Sequence, residues 1–310
     1  MTRGAAIAGW GSALPKTVVT NADLQTRLDT TDAWITERTG IRERRVGGTT
    51  HGLSVEAGRA ALESAGARPA DVDLLVLSTT TPDRTVPATS AGVQHELGVR
   101  GAAFDLNAAR SGFVYALVTA HALITTGADR ALVIGTDTLS RITDPEDRGT
   151  AVLFADGSGA VVLEAAPGED RVLGWDLGVD GSAVPLLYCD EGEHIQMDGR
   201  EVFRRAVRVT VESAQAALER AKLGPDDVGL FVPHQANLRI IEAANQRLRL
   251  PMERTAIVLD RTGNTSAASI PMALAEAADA GRLRDGDNVL LCGFGAGMTW
   301  GSAVVRWGCA

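Results

Sequence analysis

The sequence predicts an α/β protein made of two related halves, residues 1–165 and 166–310. A segment recurs at an offset of 156 residues: VEAGRAALESAGARPADVDLLV from Val55 to Val76, and VESAQAALERAKLGPDDVGLFV from Val211 to Val232. Twelve of the 22 paired positions are identical. Each copy reads as an Ala/Leu-rich helix, a Pro-Asp turn and an apolar strand. Each half then closes on a Gly-rich hairpin, one beginning at Phe154 and the other at Phe294.

Between repeat and hairpin the same elements follow twice. The first half predicts a helix over 90–97, a strand over 102–106, a helix over 111–126 and a strand over 131–135. The second predicts a helix over 238–248, a strand over 256–259, a helix over 265–280 and a strand over 288–291. Strands alternating with helices at this spacing make mainly parallel sheets covered by helices. A site is expected between the halves, where equivalent loops face one another.

Composition narrows the function. Net charge is −9 and the pI about 5.1, so a nucleic-acid binder, which needs a basic face, is not expected. Lys16 and Lys222 are the only lysines, and the other basic residues are arginines, which grip phosphate and carboxylate bidentately. Cys189, Cys292 and Cys309 are odd in number and lack a CxxC spacing, so neither a disulfide framework nor a metal site is expected. The first 15 residues do not read as a signal peptide and no long apolar run occurs. A reduced, cytoplasmic protein without a membrane span is the expectation.

Three constellations carry candidate chemistry. His234, in Val232-Pro-His-Gln-Ala-Asn237, falls at the C-terminal end of a predicted strand, where α/β proteins place reactive groups. Asn264, in Asp260-Arg-Thr-Gly-Asn-Thr-Ser-Ala-Ala-Ser269, opens a predicted helix after the next strand. An imidazole and an amide together can stabilise an oxyanion or enolate. The loop from Gly293 to Gly301 offers backbone N–H groups to an oxyanion, or is a plain turn. The junction Phe104-Asp-Leu-Asn-Ala-Ala-Arg110-Ser111-Gly-Phe113 places a side chain at the positive end of a helix, a setting that suits a thiolate. An arginine there is electrostatically disfavoured. Ser111 reads as a helix cap before it reads as a nucleophile, since no base stands beside it in sequence.

Taken together, these segments resemble β-ketoacyl-acyl-carrier-protein synthase III along nearly the whole chain. The resemblance rests on Thr31-Asp-Ala-Trp34-Ile-Thr-Glu-Arg38-Thr-Gly-Ile, Asp144-Pro-Glu-Asp-Arg148-Gly-Thr, Phe154-Ala-Asp-Gly, Pro233-His-Gln-Ala-Asn237-Leu-Arg239, Gly263-Asn-Thr-Ser-Ala-Ala-Ser and Phe294-Gly-Ala-Gly-Met-Thr-Trp-Gly-Ser-Ala. It implies a thiolase-like αβαβα sandwich of two duplicated βαβαβαββ halves, and a homodimer. It implies acyltransferase chemistry on acyl-CoA and malonyl-acyl-carrier-protein thioesters in fatty acid or polyketide biosynthesis. CoA and the carrier's phosphopantetheine then enter as substrate carriers, with no further cofactor.

Carried over by position, the resemblance makes His234 and Asn264 catalytic and puts the oxyanion hole at the backbone N–H groups of Arg110 and Ala296. Trp34, Arg38, Arg148 and Asn237 become CoA-binding residues, Phe154 a pocket residue, and Arg204 and Arg239 carrier-protein contacts. The family's cysteine nucleophile falls at Arg110, and none of the three cysteines takes its place. A guanidinium is protonated at neutral pH and cannot accept an acyl group, so the covalent route is closed. Decarboxylation of malonyl-carrier protein is the reaction that survives. The alternatives are a non-catalytic partner subunit, a non-covalent acyltransferase, and a synthase inactivated by a Cys-to-Arg change.

Overall fold

The computed structural model describes residues 3–308. Two twisted sheets form its frame. The first contains β1 (Arg3–Ala13), β2 (Leu74–Ser78), β3 (Ala102–Leu106), β4 (Arg130–Thr138) and β5 (Asp156–Pro167), in the order β1-β5-β4-β2-β3. The second contains β6 (Val172–Val179), β7 (Val228–Pro233), β8 (Asn288–Gly295) and β9 (Thr299–Arg306), in the order β7-β8-β9-β6. In each sheet the strand that ends the repeat pairs parallel with its neighbour, and the closing hairpin strand pairs antiparallel.

Alternation of buried side chains along the strands builds five layers. Leu74 and Val76 face the interior between the sheets, and Leu75 and Leu77 face outward. The outward set is covered by α1 (Thr50–Ser64) and α2 (Thr89–Leu97). Between the sheets lie α3 (Gly112–Thr126) and α6 (Ser269–Asp279), whose Phe113, Leu117, Ile270 and Leu274 are buried in one continuous core. On the far face, α4 (Gly199–Ala221) and α5 (Leu238–Leu248) cover Phe231, Leu290 and Cys292. Strands buried on both faces read as unbroken apolar runs, which is why they were legible.

The predicted strand over 256–259 does not form. Thr255 makes a single parallel bridge to Phe231, and a short helix begins at Leu259. The side chain of Gln235 replaces the missing ladder: its Nε2 donates to the carbonyls of Pro233 and Ala256, and its Oε1 accepts from the N–H groups of Val258 and Leu259. Buried backbone groups need partners, and here one amide supplies them. The second sheet therefore has four strands where its counterpart has five. Gln235→Leu strands these groups without a partner, and we expect it to destabilise the protein by about 3 kcal/mol, read by chemical denaturation.

The division between halves also shifts. β5 runs to Pro167 and β6 starts at Val172, so a boundary at 165/166 would cut a strand. We propose the turn at 168–171 as the division.

Candidate active site

Arg110 sits where β3 gives way to α3. A 3₁₀ turn over Ala109–Ser111 makes the junction, with Ala109 left-handed at φ 47°. β8 crosses closely behind it. A Cβ on Gly293 would lie 2.8 Å from Ser111 Cα, and one on Gly295 would lie 2.6 Å from the backbone nitrogen of Arg110. These two glycines serve close packing against the turn.

Ser111 does not cap α3 through its side chain. Its hydroxyl donates back to the carbonyl of Ala108 at 2.7 Å and lies 2.9 Å from Thr299 Oγ1, with no side-chain bond to the helix N-terminus. It fastens the turn to β9.

The Arg110 side chain is 6% exposed. Its guanidinium lies 5.1 Å from the centre of the Phe154 ring and makes no hydrogen bond or ion pair among the described residues. Burial lowers its pKa to about 10, against the opposing pull of Asp137, so it remains a cation at neutral pH. Asp137 itself is filled: Thr79, Thr80, Thr81 and the Ala267 N–H all donate to it.

His234 follows β7 and is 1% exposed. Its Nδ1 lies 2.7 Å from the hydroxyl of Ser269 at the start of α6, and Phe294 packs edge-on against the ring. The Gln235 N–H donates to the same hydroxyl oxygen. The Ser269 proton therefore has one acceptor within reach, Nδ1, which leaves the imidazole proton on Nε2. That nitrogen is buried and has no partner. Burial, and then the charge of Arg110, hold the imidazole well below its ordinary pKa, so it is neutral. The site thus presents an uncharged N–H donor, the form that stabilises an oxyanion without giving up its proton. Ser269→Ala removes the group that sets the tautomer. We expect its nitrogen NMR spectrum to show Nδ1 protonation rising from near zero.

Asn264 does not open a helix as expected. It sits in a loop ahead of α6, and its Oδ1 accepts from the Ser266 N–H. Its backbone pairs with Leu153 and Ala155, so Asn264 and Phe154 form a two-residue parallel bridge. Arg44, 1% exposed, braces this segment by donating to the Val152 carbonyl and to Asn21 Oδ1.

Seven of the expected site residues line one cavity of about 540 Å³: Trp34, Arg38, Arg110, Phe154, Asn237, Arg239 and Asn264. Arg110 and Ala296 also line a second cavity of about 450 Å³, with Leu139, Ile142, Leu187 and Ile195 as apolar walls. Arg110 and Leu187 are common to both. His234 lies behind these linings. Arg148 stands beside the first cavity, where it and Arg38 stack on the Trp34 indole, each 4.9 Å from the ring centre. An indole flanked by guanidinium groups suits a flat base carrying phosphates. Asn237 has structural work as well: it caps α5 through Arg239 N–H and donates to the Arg38 carbonyl.

Arg204 is not brought to the site. It is exposed on α4 and bonded to Glu201 one turn earlier, while Arg205 pairs with both Glu201 and Asp180. Ordinary cysteine chemistry is also poorly served. Burial pushes the Cys292 thiol up to about 12, and partial burial with Asp190 and Glu193 raises that of Cys189. Cys309 lies outside the described residues. A larger hollow of about 620 Å³ is lined by His51 and Asp83, both engaged elsewhere: Asp83 with the N–H groups of Thr50 and His51 and with Arg141, and the His51 ring with Glu96. No cluster of side chains suited to a metal occurs among the described residues, and no described helix is long and apolar enough to cross a membrane.

Sequence reasoning assigned no role to Ser269, Gln235 or Arg44. Ser269 and Gln235 stand inside the quoted motifs, but the tautomer and the replaced ladder depend on contacts across 35 and about 20 residues.

Comparison with known proteins agrees with this frame. Residues 104–181 match the family model described as 3-oxoacyl-[acyl-carrier-protein] synthase III, and residues 218–307 match its C-terminal counterpart. The chain is 49% identical to the β-ketoacyl-[acyl-carrier-protein] synthase III of a Roseiflexus species over 99% of both chains. The corresponding Erythrobacter litoralis protein is 50% identical, over 98% of this chain and 99% of its own. Among solved structures, 3-oxoacyl-[acyl-carrier-protein] synthase III from Aquifex aeolicus superposes with a TM-score of 0.95 at 44% identity, covering 98% of this chain and all of the other. A priming β-ketosynthase of a polyketide pathway superposes equally well at 36% identity, covering 99% and 97%. The five-layer sandwich of duplicated halves is the thiolase-like one, and the chain belongs to the 3-oxoacyl-[acyl-carrier-protein] synthase III family of acyl-transferring condensing enzymes.

Proposed function

We propose that this chain binds malonyl-acyl-carrier-protein and converts it to acetyl-carrier protein and CO2 without a covalent intermediate. The observation that carries the reading is a neutral His234 with an unpartnered Nε2–H, close to a residue 110 that is a guanidinium. The thioester carbonyl accepts from His234 and Asn264. The bond between the carboxylate and the α-carbon breaks, CO2 leaves, and the electron pair forms an enolate whose oxygen those two groups hold. A proton from water then completes the methyl group. Nothing in this sequence requires a thiol.

The pantetheine arm enters past Trp34, Arg38 and Arg148, and Arg239 and Arg204 meet the acidic carrier. Acyl-CoA thioesters use the same entrance. The protein acts as a homodimer in the cytoplasm, in fatty acid or polyketide biosynthesis. A second reading is favoured by one observation, the complete burial of His234 Nε2: a catalytically silent chain that partners a cysteine-bearing ketosynthase. Intact mass spectrometry of malonyl-carrier protein incubated with the purified chain separates the two. Accumulating acetyl-carrier protein supports the decarboxylase, and substrate left untouched supports the silent partner. A 3-ketoacyl product would overturn both.

A further inference from the structure

The guanidinium of Arg110 is the most unusual charge in the molecule. It is nine-tenths buried, reaches two cavities, and finds only the face of Phe154. Buried charges ordinarily carry a partner, because desolvating one without compensation is costly. Arg44, the other deeply buried arginine, obeys this rule through Val152 and Asn21. Arg110 has no such option. The nearby carboxylate of Asp137 already accepts from threonine hydroxyls and backbone N–H groups, and no acidic side chain lines either cavity.

We infer that Arg110 is a carboxylate receptor within the site, so that the acyl groups this chain selects end in a carboxylate. The inference rests on the reading that the thioester carbonyl lies at His234 and Asn264. With the carbonyl there, the acyl group extends toward Arg110, which shares the same cavity as Asn264. A planar fork of N–H donors matches a carboxylate bidentately. The apolar walls beyond it, Leu139, Ile142, Leu187 and Ile195, lower the local dielectric and strengthen the pair. A neutral acyl chain would cover the guanidinium and leave it unpaired. Malonyl is the shortest group that fits this description, and succinyl the next. Pairing has a second effect: it stabilises the carboxylate before CO2 departs, so it favours holding the substrate over cleaving it.

The test compares succinyl-CoA with butyryl-CoA by isothermal titration calorimetry on the full chain. The two acyl groups have the same length and differ only in a terminal carboxylate or methyl. Neither can lose CO2 through a thioester enolate, so the measurement is blind to decarboxylation. Succinyl-CoA is expected to bind tighter by on the order of ten- to a hundredfold. Arg110→Met should erase or reverse the preference, and Arg110→Lys should keep part of it. Equal affinities in the wild-type chain, which need no variant, overturn the inference, as does a preference that survives in Arg110→Met. A clear preference with no acetyl-carrier protein formed from malonyl-carrier protein sustains the inference and rejects the decarboxylase. Acetyl-carrier protein formed without any preference does the reverse.

Discussion

Arg110→Cys is expected to take one acetyl group from acetyl-CoA and to condense it with malonyl-carrier protein. The new thiol would sit at the amino end of α3, 15 residues long and buried through its first turns, where aligned peptide dipoles stabilise a thiolate. Removing the guanidinium also takes away the cation beside His234 and opens space between the two cavities that Arg110 and Leu187 line in common. An acyl chain could then occupy the second cavity while malonyl enters through the first. Condensation should rise by on the order of 10³-fold or more over the parent chain. Intact mass shows the acyl-enzyme directly. A folded variant that takes no acetyl group would show that residue 110 does not stand at the family's thiol position.

His234→Ala should cut decarboxylation by on the order of 10²- to 10³-fold, the usual loss of one oxyanion donor. The pH dependence gives a sharper check than the rate. An imidazole with its ordinary pKa of 6.5 would change charge, and with it the activity, as pH falls through that value. His234 is held well below that value by burial and by Arg110, so it keeps Nε2–H across the range and the profile should show no break near 6.5. Stability carries the opposite signature. Below 6.5 the unfolded chain takes up a proton on this imidazole that the folded chain refuses. The folded state is therefore fully favoured above the ordinary pKa and loses stability as pH falls below it. In His234→Ala that component of the acid loss should disappear in denaturation series, while Ser269 loses the acceptor of its proton.

Most of the architecture was legible because duplication doubles the signal. The repeat at Val55 and Val211 marked equivalent helices, and the strands that follow are buried on both faces, so their apolar runs stood out. The one strand that failed, over 256–259, has the composition of a strand and is buried like one. Its partner is a glutamine side chain from another part of the chain, and no local pattern announces that. At the site, His234, Asn264 and Arg110 were identified through motif order. Their electrostatics were not, because the neutral state of His234 follows from burial and from Ser269, which a linear reading cannot join to it. Arg44 shows the same limit from the other side. It lies in Glu43-Arg-Arg-Val46, an exposed-looking run, yet it is among the most buried side chains in the molecule. Arg204 lies outside the cavity, exposed and paired with Glu201 one helical turn away, a pairing that the sequence spacing already displays.

The glutamine that stands in for a strand makes the halves unequal in mutational robustness. In the first sheet, the ladder between β2 and β3 is distributed over five paired positions from Leu74–Ala102 to Ser78–Leu106, and no side-chain change short of proline deletes a backbone partner. In the second, the equivalent contacts pass through one residue. A single missense codon at 235 can therefore undo what in the other half would take the loss of a whole segment, and tolerance in a saturation library should differ accordingly between two halves that descend from one ancestor.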